Sequence, residues 1–232
     1  MRITTLGLDA DDTLWHNESI FRMTQARFRD LMADHAEPDF LDSRLAEVER
    51  RNLALYGYGV KGFTLSLIET AMDITGGEPP GRIIADILDA GREMLRHPVE
   101  PLPGAEEAVH ELAAHYTLVL ITKGDLLHQE QKLAASGLGE LFRGVEIVSE
   151  KDAAGYARIF ARHGDGGPEQ AAMAGNSLRS DVLPALEAGA FAAHIPYHVT
   201  WAHESANPPT GHPRFAELPS IRDLPAWVES LA

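Results

Sequence analysis

Thr117-Leu118-Val119-Leu120-Ile121 is rich in β-branched side chains, and after Thr117 it offers no polar residue for a wet face. A strand without alternation is expected where both faces are covered, as in a parallel sheet packed between helices. Its surroundings fit that demand. Ala105 to Ala114 reads as a helix before it, and another helix runs to Ser136-Gly137 after it. Short apolar runs recur at Ile3 to Leu8, Val145 to Val148, Ala171 to Ala174 and Phe191 to Ile195, with helical stretches between them. Pro184 falls early in the last of these helices and Gly189 after its end, and Ile221 to Leu231 is expected to close the core as a further helix. Strands alternating with helices predict an α/β fold with a doubly wound parallel sheet and right-handed crossovers.

Residues 15–98 break this rhythm. Helices are expected from about Ser19 to Ala33, with Ser19 as N-cap, from Asp39 to Leu55, from Thr64 to Thr75, and from Arg82 to Arg96, where apolar pairs recur at three-to-four spacing. His97 to Gly104 is a stiff, proline-dense connector that marks the return. The expected organisation is an α/β core of residues 1–14 and 99–232, interrupted by an all-helical insertion of residues 15–98. Tyr56 to Phe63, with three glycines, two tyrosines and Lys61, reads either as an ordinary turn between helices or as a substrate-contacting loop. In the second case Tyr58 offers a ring and a hydroxyl and Lys61 a positive charge.

In a doubly wound sheet the carboxyl ends of the strands share one edge, where ligands bind. Four runs here end in polar residues. Asp9 and Asp11 follow the first, Thr122 and Lys123 end the second, Lys151 follows the third, and Asn176 and Asp181 follow the fourth. Asp9 and Asp11, two apart, fall on one side of extended chain. Paired carboxylates suit either a hard cation or a division into nucleophile and acid/base. The set suits a phosphoryl group beside Mg²⁺. The candidate ligands are Asp9, Asp11, Asn176 and Asp181, with a backbone carbonyl and water completing the octahedron, and Lys151 and Thr122 would offset phosphoryl charge. Lys123 suits an anionic substrate or faces solvent.

Composition removes other classes. The 232-residue chain carries a formal net charge of −15 and no long Lys/Arg run, which argues against a nucleic-acid surface. No apolar run reaches membrane-spanning length, so no membrane partner is expected. The chain has no cysteine, excluding disulfides and thiolate chemistry and suiting a cytoplasmic setting. A monomer or homodimer is expected. His194, His198 and His203 lack fixed ligand spacing and read as loop residues rather than a second metal site. His16 is expected to pack beside the insertion, and Asp12 to be a surface or capping acid.

The order Asp9-x-Asp11-x-Thr13, Thr122, Lys151 and Gly175-Asn176-Ser177-Leu178-Arg179-Ser180-Asp181 resembles the haloacid dehalogenase superfamily of hydrolases, and the insertion after the first motif resembles that superfamily's helical cap. The resemblance covers roughly Met1 to Leu14 and Val99 to Ile195. It implies a Rossmann-like core and a Mg²⁺-dependent phosphatase of small phosphorylated metabolites. Asp9 would form an aspartyl phosphate, Asp11 would serve as acid and then base, Thr122 would bind phosphoryl oxygens, and Lys151 would offset charge. Thr13 would shape the turn. The sequence departs from the pattern at Asn176, where the superfamily usually has Asp, and at Lys123, where it often has Asn. Asp11 favours phosphoryl transfer over carbon–halogen cleavage. A sugar-phosphate mutase, or a phospho-Asp signalling or binding module, would also use an aspartate such as Asp9.

Overall fold

A computed structural model describes residues 2–164, 166–199, 201 and 204–231. His203 lies outside the described residues. The chain divides into two compact units: residues 1–18, 99–123 and 129–232 in one, and residues 19–98 and 124–128 in the other.

The first unit holds a six-stranded sheet, parallel throughout, in the order β3-β2-β1-β4-β5-β6. Its strands are β1 (Thr5–Leu8), β2 (Thr117–Lys123), β3 (Gly144–Val148), β4 (Ala171–Gly175), β5 (Phe191–His194) and β6 (Phe215–Glu217). The doubly wound α/β expectation holds. The apolar run of β2 is divided by the pleat: Leu118 and Leu120 join one buried cluster, Val119 and Ile121 the other. Alternate residues of β1 and β4 do the same. Leu6, Leu8, Ala172 and Ala174 face the first cluster with Val109 and Leu112 of α5 (Ala105–Ala113), while Ala171 and Met173 face the second with Tyr156 and Phe160 of α7 (Ala153–His163). The central strands β1, β2 and β4 are thus covered on both faces.

Other elements of this unit are α6 (Leu126–Ser136), which starts in the residue 124–128 segment of the second unit, α8 (Leu183–Glu187) and α9 (Leu224–Glu229). A π-helical turn at Leu178–Val182 runs directly into α8. The chain leaves the sheet at Trp15-His16 and returns at Glu100-Leu102. These passages are tied by backbone hydrogen bonds, His16 N donating to Glu100 O at 3.0 Å and Leu102 N to Leu14 O at 2.9 Å.

The second unit contains α1 (Glu18–Leu31, whose first residue is assigned to the first unit), α2 (Pro38–Tyr56), α3 (Val60–Ile74) and α4 (Gly81–Leu95). They bury Phe28, Met32, Leu41, Leu45, Phe63, Leu67, Ile83 and Ile87 in one cluster. Two details differ from what the sequence predicts. Ser19 is inside α1; the cap is Asp12, whose carboxylate accepts from Asn17 N at 2.8 Å and Glu18 N at 3.0 Å. The glycine-rich stretch 56–63 is shorter than expected, since α3 starts at Val60. Gly59, at φ 110°, turns the chain directly into that helix, leaving Gly57 to Gly59 as the connection.

Gly7 has a packing role. A Cβ there would stand 2.8 Å from Met173 Sδ and 2.9 Å from Ile121 Cδ1, with Phe160 behind at 3.2 Å. Gly7→Ala is therefore expected to cost about 1–3 kcal/mol through overpacking, seen as a lower urea midpoint at unchanged m-value; an unchanged midpoint would contradict this packing.

Candidate active site

All four polar strand exits of the first unit meet at the carboxyl edge of the sheet, because parallel registry aligns β1, β2 and β4: Leu8 sits opposite Leu120 on one side and Ala174 on the other. One residue beyond Leu8, Asp9 is 6% exposed. Lys151 Nζ donates to its Oδ1 at 2.5 Å and to Asp181 Oδ1 at 2.6 Å. Thr13 Oγ1 donates to Asp9 Oδ2 at 3.1 Å and receives from Asn176 N at 3.1 Å. Thr13 therefore does more than shape the turn: its hydroxyl joins Asp9 to the fourth strand exit.

One ammonium thus serves two buried carboxylates. Lys151 is held charged, its pKa well above the ordinary value, because Asp181 and Asp9 outweigh the burial that would discharge it. The carboxylates share a single compensating charge. Burial, followed by the charge of Asp181, pushes Asp9 up to about 7 despite Lys151.

Asp11 has the opposite environment. Burial alone would raise its pKa, but Lys132 Nζ at 2.5 Å, Trp15 Nε1 at 2.7 Å and Gln129 Nε2 at 3.0 Å hold it below the ordinary carboxylate range. Its neighbour Asp12 is buried rather than on the surface, in the left-handed region at φ 62°. Burial and the adjacent Asp11 charge push its carboxyl up to about 8.

Thr122 is buried, its Oγ1 accepting from Gln129 Nε2 at 2.8 Å. Lys123 is committed within the protein: its Nζ reaches Glu204 Oε1 at 2.6 Å and Ser180 Oγ at 2.9 Å. Glu204 also accepts from the hydroxyls of Ser177 and Ser180, and its pKa is lowered because Lys123 and these donors outweigh its burial. The cation expected to meet an anionic substrate is therefore matched by an acid from the loop after β5.

The proposed metal ligands differ in availability. Asp181 is 1% exposed, with Oδ1 on Lys151 and Oδ2 accepting from Ser177 N at 2.9 Å. The Asp11 side chain is held by Lys132, Trp15 and Gln129. Asn176 Oδ1 has one long contact, 3.4 Å from Thr13 Oγ1, the hydroxyl that also reaches Asp9 Oδ2. Among the described residues no three His, Asp or Glu side chains converge as a metal cage, so Asp9, Asp11 and Asp181 do not form one. Lys151 occupies the space between two of them. A cation would instead rest on Asp9, Asn176 and water. Asp9, buried and next to Asp181 with one lysine between them, fits such a cation.

Lys61 and Tyr58 belong to the second unit. Lys61, in the first turn of α3, pairs with Asp125 at 3.3 Å. Of the described histidines, His194 Nε2 lies 3.1 Å from Asn176 O, and His16 Nδ1 lies 2.6 Å from Tyr197 Oη, beside the exposed His198. Sequence reasoning missed Gln129, Lys132 and Glu204. Gln129 and Lys132 are three apart, hence on one helix face, but that spacing alone identifies no partner.

A profile of the family described as haloacid dehalogenase-like hydrolase matches residues 3–189. No curated protein sequence gave a significant match. Among solved structures, a haloacid dehalogenase-like family hydrolase from Xanthomonas campestris is 44% identical over 99% of this chain and 91% of its own, with a TM-score of 0.88. The YfnB protein of Bacillus subtilis, solved bound to magnesium, is 18% identical over 98% of this chain and 99% of its own, TM-score 0.67. The L-2-haloacid dehalogenase of Xanthobacter autotrophicus is 18% identical over 99% of this chain and 100% of its own, TM-score 0.67. The profile and the 44% identity together show that this chain belongs to the haloacid dehalogenase-like hydrolases.

Proposed function

We propose that this hydrolase is a Mg²⁺-dependent phosphomonoesterase acting on a small phosphorylated metabolite through an aspartyl-phosphate intermediate. The observation that carries the reading is the Asp9/Asp11 pair: a buried and a half-buried acid, two residues apart, one held by the Lys151 it shares with Asp181 and the other by Lys132. Asp9 Oδ attacks phosphorus as the bond to the leaving oxygen breaks, and Asp11 supplies the proton that oxygen needs. Water then attacks the phosphorus of the aspartyl phosphate. Asp11 takes its proton, the bond to Asp9 breaks, and inorganic phosphate leaves. The proton gained by Asp11 is the one given in the next turnover. Lys151 offsets charge at Asp9, and the Thr122 hydroxyl donates to a phosphoryl oxygen.

Asp9, Asn176 and a backbone carbonyl would hold Mg²⁺, which when bound supplies neutralisation of phosphoryl charge. YfnB, which shares the fold, binds magnesium. Tyr58 and Lys61 of the helical unit are proposed to select the substrate, and the cytoplasm is the proposed setting.

A second reading, 2-haloacid dehalogenase, is favoured by one observation. Lys132, Trp15 and Gln129 keep Asp11 ionised, and a halide leaves without a proton. The L-2-haloacid dehalogenase of Xanthobacter autotrophicus shares the fold.

Assays of 4-nitrophenyl phosphate with Mg²⁺ and of 2-chloropropionate separate the two. Phosphate release without halide release is expected, and halide release alone would reverse the assignment. Asp9→Asn is expected to lower kcat by at least about 10³-fold; retained activity would remove Asp9 as nucleophile. Because Asp9 is pushed up to about 7, kcat/KM should fall as pH drops and Asp9 is protonated. A cation beside a carboxylate favours its ionised form, so raising Mg²⁺ should move this limb to lower pH. A limb indifferent to Mg²⁺ would place the metal away from Asp9.

A further inference from the structure

We propose that Gln129 and Lys132, one turn apart on α6, are positioning residues that hold the Asp11 carboxylate in line for the water-activating half of the reaction. The inference rests on the phosphatase reading and extends it to two residues outside the four strand exits.

The two side chains take opposite oxygens of one acid. Lys132 Nζ lies 2.5 Å from Asp11 Oδ1, and Gln129 Nε2 lies 3.0 Å from Oδ2. Trp15 Nε1 adds a third donor on Oδ1 at 2.7 Å. Lys132 and Gln129 are 8% and 3% exposed, so water does not compete strongly for either head group. With both oxygens held, rotation of the Asp11 carboxylate about its terminal bond requires breaking a charge-assisted contact.

Gln129 also links Asp11 to Thr122. Its amide nitrogen carries two hydrogens yet stands near three acceptors: Asp11 Oδ2, Thr122 Oγ1 at 2.8 Å and Lys123 O at 2.8 Å. Rotating the amide by half a turn would set a carbonyl against the Asp11 carboxylate and the Lys123 carbonyl, two groups that only accept. The nitrogen is therefore fixed towards the site, and Gln129 Oε1 is left buried with no hydrogen-bond partner. A buried acceptor without a donor is unfavourable for folding. Its presence here is explained if the amide is held for what its nitrogen does. Thr122 accepts from Gln129 and gives its own hydroxyl hydrogen only to a long contact with Lys123 O at 3.3 Å, which a phosphoryl oxygen would replace.

A displaced Asp11 would harm hydrolysis of the aspartyl phosphate most, because water must be oriented as well as deprotonated. Attack by Asp9 on an aryl phosphate needs little help from an acid, since nitrophenolate leaves readily. The test is rapid-mix kinetics of the full chain with 4-nitrophenyl phosphate and Mg²⁺, comparing the native protein with Lys132→Met, Lys132→Arg, Gln129→Leu and the milder Gln129→Asn. The expected result for Lys132→Met and Gln129→Leu is a burst of nitrophenolate close to one per chain. The steady state that follows should be slowed about 10-fold or more relative to the native rate, and intact-mass measurement should show a phosphoryl adduct accumulating on Asp9. Lys132→Arg should recover part of the steady rate. The burst counts folded, competent sites, so a variant that misfolds loses it and is replaced by Lys132→Arg or Gln129→Asn, for which the same adduct is expected in smaller amount. Unchanged steady-state rates, or burst and steady state slowed equally in a folded variant, would overturn the positioning role. A native protein that releases no nitrophenolate would overturn the phosphatase reading itself and this proposal with it.

Discussion

A single ammonium, Lys151 Nζ, lies between Asp9 and Asp181, and the geometry of the sheet edge depends on it. Two buried carboxylates so close together repel unless a cation separates them, and isolated buried charge is among the most unfavourable features a fold can contain. The three residues come from segments after β1, β3 and β4, so the contact fastens an outer strand's loop to the centre of the sheet. The compensation is incomplete. One positive charge cannot neutralise two negative ones, and the charge of Asp181 adds to burial in raising the proton affinity of Asp9.

Three acids in four residues therefore behave in three ways. Asp9 is raised by burial and the charge of Asp181, Asp11 is lowered against its burial by Lys132 and two further donors, and Asp12 is raised by burial while it caps α1. Carboxylates whose proton affinities are driven apart by their surroundings can take different chemical parts within one site. The separation comes from the backbone. Extended chain at β1 sends Asp9 towards Lys151, the left-handed Asp12 reverses direction, and Trp15 folds back so that its indole reaches Asp11.

The sheet was legible because burial on two faces leaves a plain mark: unbroken apolar runs such as Leu118 to Ile121 and Ala171 to Ala174, divided by helices of regular period. Asp9, Asp11, Thr122, Lys151, Asn176 and Asp181 were legible as the residues where those runs stop. Three-residue β6 carries too little pattern to announce itself, and α3 begins earlier than its apolar period suggests because Gly59 takes a backbone angle that spacing cannot reveal. The partners of Asp11 were illegible for a different reason. Gln129 and Lys132 lie 118 and 121 residues away, and Glu204 lies 81 residues from Lys123. A polar residue on a helix or in a loop looks the same whether it meets water or a buried acid.

Asn176 bears on how ions exchange at this edge. A carboxylate in its place would add a third negative group around Thr13 and Lys151, tightening the hold on a divalent cation and repelling an incoming anion. The neutral amide reverses both tendencies. On the proposed Mg²⁺-dependent phosphatase reading, a protein built this way would let the metal go more readily between turnovers and would be more easily occupied by free phosphate or by oxyanions of similar shape. Its working rate would then follow the ionic composition around it, cation and product alike, more closely than that of a relative with an acid at this position.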